Sequence, residues 1–243
     1  NNKLSEKPCV LWSLANGRSI LDWQMNAFEM ALPNSEVNIA VGYNYQKIIN
    51  NHPQHIFRHI SNWEKGGALY SFLSIAHDYS SHTLVMYGDT VFHPETIAEF
   101  IGIKGDVIVA IDSVWKKRFS ERSKEDIELA ETLNIEPHGE VEYTGLVKFS
   151  PRVMEWISQH RDSYQSKSGF IELLRDIKEA DFKIVTYDVD GNWAEMNEHS
   201  DLVHFILGSK AETLRRIQPI LKKSKVCDQI TLTWSNWTKN PKH

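Results

Sequence analysis

The 243-residue chain has only two cysteines, Cys9 and Cys227, far apart and without a Cys-x-x-Cys pair. That spacing argues against a disulfide scaffold and a cysteine zinc site, and it suits a reducing cytoplasm. No apolar run approaches the roughly 20 residues that span a bilayer, so no membrane partner is expected. The polar start, Asn1-Asn2-Lys3, is unlike a signal peptide. Excess positive charge is lacking too. With 27 Lys and Arg against 32 Asp and Glu, the formal charge is −5, which leaves no general field for nucleic acid. Neither a Gly-x-Ser-x-Gly elbow nor a His-Glu-x-x-His pair occurs, which removes two common hydrolase signatures.

What is present is an ordinary soluble composition, 41% hydrophobic and 24% charged, enough to bury a core. Helix and strand alternate. Ile20 to Leu32 carries Ile20, Trp23, Ala27 and Met30 at helical spacing, and Pro33-Asn34-Ser35 breaks it. Short apolar strands are predicted at 37–41, 55–60, 83–87, 106–111, 141–149 and 182–189. Helices are predicted at 45–51, 68–77, 94–100, 151–159 and 170–179. Alternation with strands apolar throughout is the pattern of a mainly parallel sheet with helices on both faces. Residues 113–132 are charged and are expected as a loop plus helix over the sheet. A basic helix (211–222) and a strand-like piece (229–234) follow.

Four stretches carry candidate chemistry. In Leu84-Val85-Met86-Tyr87-Gly88-Asp89-Thr90 an apolar strand delivers a carboxylate at its C-terminal end, where open α/β sheets place ligands. Gly88 permits close approach and Asp89 is a hard oxygen ligand for Mg²⁺; a plain turn is the alternative. In Gly191 to Glu198, Glu195 and Asn197 project from one side of an extended segment and offer a second oxygen donor, or form a solvated edge. The stretch from Asp112 to Arg122 interleaves Trp115 and Phe119 with Lys116, Lys117, Arg118 and Arg122. That mixture suits a phosphate and an organic headgroup, or an ordinary charged helix surface. Trp63-Glu64-Lys65-Gly66-Gly67 precedes a helix, where free backbone N–H groups can bind an anion or simply make a tight connection.

Taken in order, these segments resemble the nucleotidyltransferase family, in particular the cytidylyltransferases that act on phosphocholine, phosphonates and related phospho-compounds. The likeness runs through Lys7-Pro8-Cys9, Gly17 to Gln24, Val41-Gly42-Tyr43, Trp63-Glu64, Gly88-Asp89, the Asp112/Trp115/Arg118/Arg122 stretch, Tyr143-Thr144-Gly145-Leu146 and Trp193 to Asn197. It covers roughly residues 3 to 207. The resemblance implies a Rossmann-like, mixed but mainly parallel α/β fold of the nucleotide-diphospho-sugar transferase type. It also implies transfer of CMP from CTP to a phosphorylated small molecule, with release of pyrophosphate.

By the same resemblance, Asp89, Glu195 and Asn197 hold Mg²⁺, and Lys7, Gly88 and Asp89 meet the nucleotide. Lys7, Asp89, Arg118 and Arg122 carry the chemistry. Trp63, Glu64, Asp112, Trp115, Arg118, Arg122, Gly145 and Glu195 contact substrate. The family opens on a strand and a Gly-rich loop that wraps the triphosphate; both are expected ahead of Asn1. Asn197 stands where many relatives carry Asp. Residues 1–207 are read as the transferase domain, and 208–243 resemble the opening of a PEP-synthase-like or ATP-grasp kinase. That suggests a fused or partner kinase and leaves a homodimer open. The setting implied is surface polysaccharide modification. A sugar-1-phosphate nucleotidylyltransferase and a catalytically silent nucleotide-binding module are the competing readings.

Overall fold

The computed structural model describes residues 7–13, 17–76, 80–118, 127–128, 130–135, 138–164, 168–197, 201 and 205, without the side chains of 117 and 118. The chain divides into two compact units, residues 1–197 and 198–243. The kinase-like tail expected at 208–243 lies outside the described residues, as do the helix at 211–222 and the strand-like piece at 229–234.

The first unit is a layered α/β domain. Its strands are β1 (Asn38–Val41), β2 (Ile56–His59), β3 (Thr83–Met86), β4 (Thr90–Phe92), β5 (Val107–Asp112), β6 (Thr132–Ile135), β7 (Gly139–Phe149), β8 (Ile184–Asp188) and β9 (Trp193–Glu195). Its helices are α1 (Ile20–Ala31), α2 (Tyr45–Asn51), α3 (Ala68–Ala76), α4 (Pro94–Gly102), α5 (Trp115–Arg118), α6 (Pro151–His160) and α7 (Phe170–Glu179). Local signals set the helix starts. Ser19 and Asp22 form a capping box, with Ser19 Oγ accepting from the Asp22 N–H at 3.1 Å and Asp22 Oδ2 accepting from the Ser19 N–H at 2.7 Å. Proline occupies the first turn of α4 and of α6, where its missing N–H costs nothing.

The main sheet has the order β3-β7-β5-β8, with β6 also on β7; β1-β2 and β4-β9 are separate two-stranded pairs. Strands β3, β5, β6 and β8 all run one way, and β7 alone opposes them. The sheet is therefore mixed with one prevailing direction. Every residue of β5 is buried, as expected for a strand covered on both faces. On one face Leu69, Phe72, Val153, Met154, Ile157, Leu173 and Ile177 from α3, α6 and α7 pack on Val109, Val147 and Phe149. On the other, Ala27, Ile97 and Phe100 from α1 and α4 pack on Ile108, Ala110 and Leu146. Lys148 reaches across to the end of α4, where its Nζ donates to the carbonyls of Ile101 (2.6 Å) and Ile103 (2.5 Å). A cation there satisfies orphan carbonyls at the negative end of the helix.

Candidate active site

The turn Tyr87-Gly88-Asp89-Thr90 leaves β3 and is fixed from three directions. From α1, the buried Gln24 Nε2 donates to the carbonyls of Thr90 (2.7 Å) and Gly88 (3.1 Å). From beyond β9, the Met196 N–H donates to the Asp89 carbonyl at 2.7 Å, and from β7 the Gly145 carbonyl accepts from the Tyr87 N–H at 3.0 Å. Since β4 pairs antiparallel with β9 and Thr90 stands opposite Glu195, the pairing register sets Asp89 and Glu195 side by side.

Electrostatics report the same proximity. Burial, and then the charge of Glu195, push Asp89 up to about 6 from an ordinary value of 3.8. Burial and the charges of Asp89 and Glu195 push the Cys9 thiol up to about 11. Glu131 is raised as well, chiefly by burial, with Glu195 adding to it and the Tyr87 hydroxyl, which donates to Glu131 Oε2 at 2.9 Å, opposing it. Asn197 Nδ2 donates to Glu195 Oε2 at 3.0 Å and orients that carboxylate. Cys9, Gly88, Asp89, Glu131 and Glu195 are among the residues that line a cavity of about 1650 Å³.

The donor set fits a hard divalent cation. Two carboxylates held together in a half-buried site repel each other, and a cation between them relieves the repulsion that raises Asp89. Among the described residues no group of three or more His, Cys, Asp and Glu is arranged to hold a metal. A cation held here would have Asp89 and Glu195 as its carboxylate ligands and would supply charge stabilisation to bound phosphates. His55 and His59 stand four apart, but β2 is extended: His55 stacks on His52 and His59 lies against Tyr45.

Other sequence candidates fall elsewhere. Asp112 is buried, and its carboxylate accepts from Trp193 Nε1 at 2.9 Å and from the Val114 N–H at 2.9 Å. Trp115 is also buried, donates through Nε1 to the Glu140 carbonyl, and sits beneath Lys116, which pairs with Glu140 at 2.7 Å. Neither lines the cavity, because internal partners occupy both. Trp63 lies over Gly42, where any Cβ would come within 2.3 Å of its ring, and edge-on to Tyr43; Glu64 beside it is exposed and also outside the cavity wall. Gly66 and Gly67 do not line it either. Gly145 has φ +76°, and a Cβ there would meet the Tyr87 ring at 2.6 Å, so the glycine seats Tyr87. Lys7 is exposed, two residues before Cys9. Arg122 and the side chains of Lys117 and Arg118 lie outside the described residues.

Three site residues were not singled out for chemistry by the sequence. Gln24 gave a usable signal, a polar residue beside the apolar stripe of α1. Cys9 and Glu131 gave none.

No family model matches the chain. In sequence it is similar to the CTP:phosphoglutamine cytidylyltransferase of Campylobacter jejuni, 23% identical over 219 residues that cover 76% of this chain and 86% of that protein. In structure it is similar to the inositol-1-phosphate CTP transferase of T. maritima, with a TM-score of 0.58 and 17% identity over 93% of this chain and 91% of the other. It is also similar to a protein from Bacillus anthracis assigned as a glucose-1-phosphate thymidylyltransferase, with a TM-score of 0.58 and 14% identity over 83% and 87%. The chain thus has the nucleotide-diphospho-sugar transferase fold, and along most of its length it resembles the nucleotidyltransferases.

Proposed function

We propose that the chain transfers CMP from CTP to a phosphorylated small molecule. A phosphate oxygen of the acceptor attacks the α-phosphorus of CTP in line, the bond from that phosphorus to the bridging oxygen breaks, and pyrophosphate leaves. Such a reaction asks the protein mainly for positioning and charge neutralisation. The observation that carries the reading is the Asp89–Glu195 pair, held rigidly at the C-terminal end of β3 inside the large cavity. The likeness to a curated cytidylyltransferase supports it from sequence.

In this reading Asp89 and Glu195 hold Mg²⁺, with Asn197 orienting Glu195 through its amide. Bound there, the ion supplies charge stabilisation to the phosphates. The Gln24 bonds keep the Asp89 turn from shifting as phosphate charge arrives. Lys7 neutralises triphosphate charge, and Arg118 and Arg122 orient the acceptor phosphate. The acceptor belongs to the phospho-amino acid, phosphocholine or phosphonate type, and its activated product feeds surface polysaccharide modification.

The test is pyrophosphate release from each of the four nucleoside triphosphates, with sugar phosphates and non-sugar phosphates as acceptors. Turnover confined to CTP with a non-sugar phosphate is the expected result. Turnover with a sugar 1-phosphate and another triphosphate would replace this reading by the nucleotide-sugar one. Tight, Mg²⁺-dependent nucleotide binding without turnover of any acceptor would point to a silent module.

A further inference from the structure

Four residues that line the cavity take no part in holding a cation at Asp89 and Glu195: Tyr87, Glu131, Tyr143 and Phe170. Strand pairing sets them together. The Tyr143 N–H donates to the Glu131 carbonyl at 2.8 Å, and the Tyr87 hydroxyl donates to Glu131 Oε2 at 2.9 Å. Tyr143 is only 3% exposed, and its buried hydroxyl has no hydrogen-bond partner among the described residues. Such a group costs free energy and is uncommon in a folded protein. The charge that acts on it is that of Glu131.

Glu131 is unbalanced as well. Among the described residues no cation pairs with its carboxylate. Two cations that line the same cavity are engaged elsewhere: Arg58 Nε donates to Asn38 at 2.9 Å, and Lys148, opposite Leu84 near the start of β3, donates to Ile101 and Ile103. A carboxylate and a phenol oxygen both accept from N–H groups, and the charge of Glu131 repels a phosphate. The end of a ligand that settles here is therefore a cation. The rings decide which kind. Tyr87 stands 5.7 Å from both Tyr143 and Phe170, centroid to centroid, and Tyr143 stands 6.1 Å from Phe170. Rings that share a cation lie on separate sides of it, each within about 6 Å. These three touch one another and so form no cage. A quaternary ammonium, having no N–H, would leave both oxygens unpaired; a primary ammonium carries donors for both.

We propose that Glu131 and the Tyr143 hydroxyl bind a primary ammonium group of the acceptor, so that the substrate is a phosphorylated compound with a free amino group and a trimethylammonium compound is rejected. The assignment rests on the CMP-transfer reading, in which the acceptor's phosphate meets a cation at Asp89 and Glu195. Glu131 acts electrostatically on Asp89 and is acted on by Glu195, so the two ends of one short molecule can reach both places. Tyr87 is a positioning residue here: its hydroxyl holds Oε2 of Glu131 and leaves Oε1 for the ligand.

Calorimetry with three probes of similar length tests it: O-phosphoethanolamine, phosphocholine and propyl phosphate, each titrated into the full chain in Mg²⁺, with and without a non-hydrolysable CTP analogue. O-phosphoethanolamine should bind about 10- to 100-fold more tightly than the other two, the range that a hydrogen bond to a charged group spans. Glu131→Gln keeps an acceptor for Tyr87 and should abolish that preference by weakening O-phosphoethanolamine alone. Tyr143→Phe removes a hydroxyl that has no partner in the fold. It should weaken O-phosphoethanolamine about 5- to 10-fold without lowering the melting temperature. Phosphocholine bound as tightly as O-phosphoethanolamine, an equal loss for all three probes in Glu131→Gln, or no binding of any probe would overturn the proposal. Pyrophosphate release from CTP is read separately. Glu131-dependent binding of O-phosphoethanolamine without that release would uphold the ammonium site and refute CMP transfer.

Discussion

Asp89 follows the half-buried strand β3 and Asp112 ends the buried strand β5; both sit beside aromatic residues, and both read as ligand contacts in the sequence. Their surroundings set them apart. Asp112 is met by donors, the Trp193 indole N–H and the Val114 amide, so both of its carboxylate oxygens are bonded inside the protein. Asp89 is met by other acids, Glu195 and then Glu131, and its proton is held up to about pH 6. A carboxylate met by donors is settled within the fold; one met by another carboxylate has a repulsion that a bound cation would relieve. Sequence position alone does not separate the two, because the Trp193 partner of Asp112 lies 81 residues away and the Glu195 beside Asp89 comes from across the β4–β9 pairing.

Four substitutions would break or sharpen this contrast. The largest effect is expected for Asp89→Ala, which should cut Mg²⁺-dependent turnover by about 10²-fold or more while the circular dichroism spectrum stays native. Retained turnover would move the chemistry elsewhere. Asp112→Ala should act on folding instead. It strands two donors and is expected to cost about 3 kcal/mol in urea unfolding, with turnover falling only as far as the folded fraction.

Asp89→Asn should act on stability in the opposite sense. A carboxyl raised in the folded state from 3.8 to about 6 holds its proton more tightly when folded, so wild-type stability falls as pH rises through that window. Removing the charge is expected to raise stability at pH 8 by on the order of 2–3 kcal/mol and to change nothing below about pH 3.5. Thermal melts of the two proteins at both pH values check this. The smallest effect is expected for Gln24→Leu, about 1 kcal/mol of stability, with a loss in kcat rather than KM because the Asp89 turn is loosened. A change in KM alone would show that Gln24 does not position the turn.

Much of the architecture was legible because it rests on local signals. The stripe of α1, Pro94 and Pro151 at helix starts, and the apolar run of β5 each fix an element without help from the rest of the chain. The lone opposing direction of β7 was not legible, since strand periodicity carries no sense of direction. Of the site, Asp89 and Glu195 were readable as strand-end carboxylates. Glu131 was not, for it sits among Glu121, Glu125, Asp126 and Glu128 and nothing local marks it out. Its importance arises only when β6 pairs with β7 and Tyr87 reaches its carboxylate. Trp63 and Trp115 show the converse, since the structure places both away from the cavity wall. An aromatic beside charge looks alike whether it faces a ligand, lies on Gly42, or is buried with its N–H bonded to a main-chain carbonyl.

The most direct measurement is the pH titration of the Asp89 side-chain carboxyl carbon by NMR, with and without Mg²⁺. The account predicts a midpoint near 6 in the absence of the ion and a clear downward displacement when it is added. A midpoint near 4 that Mg²⁺ leaves unmoved would contradict it.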